Sequence, residues 1–153
     1  MRHWLMKSEP DCYSIDDLGN EKEPAVWEGC RNWTVRNFFR DGMSDGDMAF
    51  FYHSSCQPPG IVGEMRIVGE FYPDPTQFDP ESEYFDPKST KEKPRWLTRN
   101  VVLTEKYPRM VTLQELRDTP ALEDMLVLRR GQRLSVMPVA ENHWEIIRKL
   151  AHS

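Results

Sequence analysis

The chain of 153 residues has room for one domain, and a domain of this size buries about 70% of the surface its unfolded chain exposes, so no disulfide or metal staple is required. A net charge of −5 argues against a broad electrostatic footprint for nucleic acid, and any such contact must be local. Apolar residues never run for the roughly 18 positions a membrane span needs, and three cysteines without Cys-x-x-Cys spacing argue against a disulfide framework or a zinc site.

Met1-Arg2-His3-Trp4 leads straight into a strand over His3 to Lys7, without the apolar stretch and cleavage site of a signal peptide, so a soluble cytoplasmic protein is expected. Ser14 before Ile15-Asp16-Asp17-Leu18 predicts a capped helical turn. Asn32 caps a helix through Arg40 that buries Val35, Phe38 and Phe39 and ends at Gly42. Met48 to His53 is apolar enough for a central strand, a turn follows, and Ile61 to Phe71 is a long strand with Gly63 and Gly69 as bends. From Tyr72 to Pro94 the chain is polar and proline-rich, a loop of a kind that more often serves function or docking than filling. Arg95 to Lys106 is the next strand, Thr112-Leu113-Gln114-Glu115 is a capping box opening a short helix, and Ala121 to Leu128 forms another. Leu134 to Val139 is a last strand, and Asn142 with Glu145 starts a terminal helix whose apolar face is Trp144, Ile147, Leu150 and Ala151. Strands interleaved irregularly with short helices suggest an α+β fold with a curved mixed sheet, not repeated βαβ units.

Four strings carry chemistry. Trp27 lies among turn residues just before a helix start, where a ring either walls a pocket or packs at a sheet edge; base-on-aromatic stacking contributes about 1–3 kcal/mol per base. Asn32 combines a donor and an acceptor in one plane, suited to a base edge, and is equally a good helix cap. Lys7 and Ser8 leave the first strand on opposite sides, with Ser8 the candidate inward hydroxyl. Tyr52-His53-Ser54 closes an apolar strand with polar groups that can converge on a ligand, and His53 with Cys56 opens a thiol-enzyme alternative that lacks a third orienting group. Arg133-Leu134-Ser135 offers a hydroxyl at Ser135 and a phosphate contact at Arg133. Local positive charge at Lys7, Arg31, Arg36, Arg40, the 88–99 stretch including Lys88 and Arg99, and Arg129, Arg130 and Arg133 can meet a phosphate backbone or simply face solvent.

The order and spacing of Trp4-Leu5-Met6-Lys7-Ser8-Glu9-Pro10, Trp27-Glu28-Gly29-Cys30-Arg31-Asn32, Phe51-Tyr52-His53-Ser54 and Arg133-Leu134-Ser135-Val136-Met137-Pro138 resemble the EVE-domain family, a branch of the PUA-like superfamily related to the YTH domains. The resemblance runs from Trp4 to Leu150 and implies one domain over 1–153, with a PUA-like curved mixed β-sheet approaching a barrel and short helices packed around it. It also implies a non-catalytic module that reads a modified nucleobase in DNA or RNA, single-stranded or with the base flipped out. Trp27 would line its pocket, with Ser8, Asn32, Tyr52, His53 and Ser135 around the base and Lys7, Arg31, Arg36, Lys88 and Arg133 on the backbone. No cofactor or metal is expected, and a monomer is. The second string departs from the family's Trp-x-Gly-Val-Arg-Asn, since Cys30 replaces the valine with another small side chain that can be oxidised. A module binding a free heterocycle and a nucleic-acid-processing enzyme are the alternatives.

Overall fold

A computed structural model describes all residues, Met1–Ser153. Six strands make one mixed sheet in the order β2-β5-β4-β3-β1-β6: β1 is His3–Ser8, β2 Ala25–Val26, β3 Met48–His53, β4 Gly60–Pro73, β5 Leu97–Thr112 and β6 Val136–Val139. β1 runs parallel to β3, and all other neighbours are antiparallel. β2 and β6 lie at opposite ends and do not pair, so the sheet is not closed into a barrel. The register shifts in β4, one of them between Ile61 and Gly63, where a Cβ would meet the Glu105 carbonyl oxygen and the Ile15 side chain, so only glycine permits the close approach.

Strand alternation sends two apolar sets to opposite faces. Trp4, Met6, Ala49, Phe51, Met65 and Ile67 pack with Ile15 and Leu18 of α1 (Ile15–Gly19), Trp27, Cys30, and Val35 of α2 (Trp33–Asn37). Leu5, Phe50, Tyr52, Ile61, Tyr107, Val111 and Met137 pack on the other face with Leu116 of α3 (Leu113–Asp118), Leu122, Met125, and Trp144 and Ile147 of α4 (Glu141–Ala151). Burial on both faces explains why Met48 to Tyr52 reads as an unbroken apolar run.

Several element boundaries differ from the sequence reading. The helix after Asn32 is one α-helical turn followed by a π-helical turn, Phe38–Gly42. β5 extends six residues past Lys106, to Thr112, because β4 supplies a partner that far. Ala121 to Leu128 holds two short 3₁₀ turns, Pro120–Leu122 and Leu126–Leu128. Thr112 accepts the Glu115 N–H, but the Glu115 carboxylate pairs with Arg109 at 2.7 Å, so the reciprocal half of that capping box is missing. α4 starts at Glu141 without a side-chain cap, which leaves Asn142 inside the helix and exposed.

Candidate functional site

Where β1 ends, a cavity of about 980 Å³ opens to the surface, bounded by Lys7–Glu9, the 24–31 segment, Ser54, Glu83 and Tyr84, and Arg133–Ser135. Ser8 donates to the Tyr13 carbonyl at 2.6 Å and so fixes the turn that carries Tyr13 into the wall. On the floor, Cys30 Sγ lies 3.9 Å from Ser135 Oγ, and burial pushes the Cys30 thiol up to about 11, leaving it a protonated, largely apolar group. Lys7 sends its ammonium over the Tyr52 ring, 5.7 Å from the centroid, and burial lowers its pKa. Trp27 is only 6% exposed: its ring meets Phe51 edge-on at 5.5 Å, its backbone N–H donates to the Arg99 carbonyl at 3.2 Å, and its backbone carbonyl accepts from the Thr98 hydroxyl. Trp27 therefore borders the cavity as a core residue, not as an open aromatic platform.

The opposite wall is the long loop between β4 and β5. Gln77, fully buried, donates to the Asp74 and Trp96 carbonyls at 2.7 and 2.8 Å and accepts from the Ser89 hydroxyl at 2.6 Å and the Trp96 N–H at 3.0 Å. Arg31 ties this loop to the 24–31 segment through Asp74, Thr76 and the Tyr84 carbonyl. Four acids, Glu9, Glu21, Glu28 and Glu83, share the rim with Lys7, Arg31 and Arg133. Burial, and then the nearby Asp74 carboxylate, raises the pKa of Glu28.

The family model described as the EVE domain matches residues 2–150. The chain belongs to the EVE-domain family. Human thymocyte nuclear protein 1 is 38% identical to it over 166 residues, covering 97% of this chain and 73% of that protein. Among solved structures, a protein from Pseudomonas syringae is 45% identical with a TM-score of 0.92, covering 97% of this chain and 99% of its own. Human THYN1 protein in complex with 5-methylcytosine containing DNA is 37% identical with a TM-score of 0.92, covering 100% of this chain and 99% of its own.

In this EVE domain the cavity brings Ser8, Trp27 and Ser135 together with Lys7, Arg31 and Arg133, and the remaining candidates lie outside its walls. Tyr52 and His53, adjacent on one strand, necessarily face opposite sides of the sheet. Tyr52 is buried in the core beneath α3 and α4, and His53 accepts the Ile15 N–H at 3.1 Å, which seats α1. That bond occupies Nε2, and the Cys56 thiol donates to the Pro58 carbonyl at 3.5 Å, so no nucleophile-and-base pair forms. The Asn32 amide oxygen accepts the Thr34 and Val35 N–H groups at 2.8 and 3.1 Å and serves as the cap of α2. Arg36 lies over the Trp33 ring at 5.2 Å, the exposed Lys88 sits on an Asp86 turn, and Arg99 is buried against the Phe39 and Gly69 carbonyls. Sequence reasoning missed Tyr13 and Tyr84; the signal for Tyr84 was an aromatic pair, Tyr84-Phe85, inside a polar loop already read as functional.

Proposed function

We propose that this EVE domain is a non-catalytic module that takes one modified base of a DNA strand into the cavity at the end of β1. The observation that carries the proposal is the likeness, along the full length of the chain, to human THYN1 protein in complex with 5-methylcytosine containing DNA. The cavity supports it in size and chemistry: about 980 Å³ accommodates a nucleotide, and aromatic rings, hydroxyls and carboxylates surround it. Carboxylates such as Glu28 accept hydrogen bonds from an exocyclic amino group, as cytosine presents. Extruding a base from a duplex costs a few kcal/mol, less from a single strand, and stacking with polar contacts inside a partly dry site offsets it. A methyl group enclosed by apolar walls then adds about 1–3 kcal/mol of discrimination, with no bond made or broken.

The test is a binding panel of labelled single- and double-stranded oligonucleotides, each carrying one 5-methylcytosine or its unmodified twin, with RNA versions and the free nucleoside as further arms. Tighter binding of the modified DNA is expected. Equal affinity for modified and unmodified strands overturns the proposal, and preference for the free nucleoside over the strand reassigns the cavity to a small heterocycle.

A further inference from the structure

A base entering the cavity needs a ring to lie against, and Trp27 does not offer one. An indole side chain contributes up to about 250 Å², so 6% exposure leaves a strip of about 15 Å², too narrow for a base face. Tyr13 packs its ring against the core and spends its hydroxyl on Glu21 at 3.0 Å. Tyr84 remains. It is half-buried in the cavity wall, and its ring lies against Gly29, where a Cβ would come within 2.6 to 2.8 Å of three ring atoms. Gly29 also has φ of +89°, a conformation that other residues rarely adopt.

We infer that Tyr84 is the aromatic surface against which the bound base rests, and that Arg31 is a positioning residue holding Tyr84 in place; this rests on the base-binding reading above. Arg31 Nε and one terminal nitrogen both donate to the Tyr84 carbonyl, at 3.1 and 2.8 Å, and the latter also reaches Thr76 Oγ1 at 2.9 Å. The other terminal nitrogen donates to Asp74 Oδ2 and to the Cys30 carbonyl, each at 3.1 Å. Asp74, almost fully buried, uses the same oxygen to accept the Gly29 N–H at 2.8 Å. One guanidinium and one carboxylate thus bracket the two strips of backbone between which the Tyr84 ring is set. Every nitrogen of Arg31 points into this bracket, so its charge is committed inside the protein and not to a phosphate. The planar fork is essential to the arrangement, because an ammonium cannot reach three carbonyl and hydroxyl partners in that geometry.

The experiment measures polarisation of a fluorescein-labelled single-stranded DNA carrying one 5-methylcytosine, and of its unmodified twin, against the wild type, Tyr84→Phe, Tyr84→Ala and Arg31→Lys, with a melting curve for each. Tyr84→Ala is expected to bind the modified strand about 10- to 100-fold more weakly, and Tyr84→Phe within about threefold of wild type. Arg31→Lys keeps the charge and loses the fork, so it is expected to weaken binding about tenfold, whereas a phosphate contact, which an ammonium also makes, would leave affinity near wild type. Should Arg31→Lys fail to fold, the two tyrosine variants decide alone. Wild-type affinity in Tyr84→Ala, or a gain, overturns the inference while leaving the base reader standing, and near-wild-type affinity in Arg31→Lys overturns the positioning role. Failure of the wild type to bind either strand overturns the base-binding reading and this inference with it.

Discussion

Trp27 and Trp144 sit on opposite faces of one sheet at similar burial, 6% and 4% exposed, the second stacked on Phe50 at 4.1 Å. Removing either ring leaves a cavity that the sheet cannot collapse to fill, so Trp27→Ala and Trp144→Ala are each expected to cost about 3–5 kcal/mol in denaturant unfolding. A loss below about 1 kcal/mol in Trp27→Ala would place that ring outside the core. The sequence alone left Trp27 open between pocket and packing, because the flanking turn residues do not reveal that Phe51 waits beneath it. Glu28 gives a pH-dependent counterpart. Its side chain is exposed at the cavity rim, and partial desolvation there, with the nearby Asp74 carboxylate, holds its pKa above the ordinary value, so the fold weakly favours the protonated form and ionisation slightly lowers stability as pH rises through the raised value. Below the ordinary glutamate range that cost vanishes. Glu28→Gln is therefore expected to melt higher than wild type at pH 7, with the difference shrinking toward pH 4; a difference that grows on acidification would reverse the sign.

Local rules made the caps and central strands readable. Ser14 and Asp17 complete a reciprocal capping box at 3.1 and 2.8 Å, Asn32 caps α2, and β1 and β3 lie where apolar runs put them. What stayed hidden depends on partners far along the chain: the far end of β5 follows β4, and β2 is two residues long and exists through its pairing with Val101 and Asn100. The 74–96 loop is the largest example, since its order comes from one buried amide that no periodicity marks. Four hydrogen bonds converge on Gln77; the Asp74 and Trp96 carbonyls also accept backbone N–H groups, so Gln77→Ala leaves the Trp96 N–H and the Ser89 hydroxyl without an acceptor, at about 1–3 kcal/mol apiece. Hydrogen exchange should speed up across 74–96 in that variant and remain slow in β1 and β3. Unchanged exchange in the loop would mean that Arg31 and Asp74 hold it without the amide.

A chain carrying −5 overall can still bind a phosphate backbone if its uncommitted cations gather beside the cavity. Four of the candidate cations are already engaged: Arg31 in its bracket, Arg99 in the core, Arg40 with Asp41, Arg36 against Trp33. Arg129, Arg130 and Arg133 are different, being exposed, without an acidic partner, and carried on a turn made possible by Gly131 at φ +77°, with Arg133 itself on the cavity wall. The rim acids Glu9, Glu21, Glu28 and Glu83 repel a phosphate, so the backbone of a bound strand is expected to run along the arginine turn. Each lost contact to a single strand flattens the salt slope by about 0.7, so the double variant Arg129→Glu, Arg130→Glu should flatten it by about 1.4 and weaken modified and unmodified strands alike. Arg36→Glu should change neither slope nor preference. Measuring affinity at four salt concentrations on both variants separates the paths: a wild-type slope in the double variant, with a flattened one in Arg36→Glu, would route the strand across α2 instead of the arginine turn.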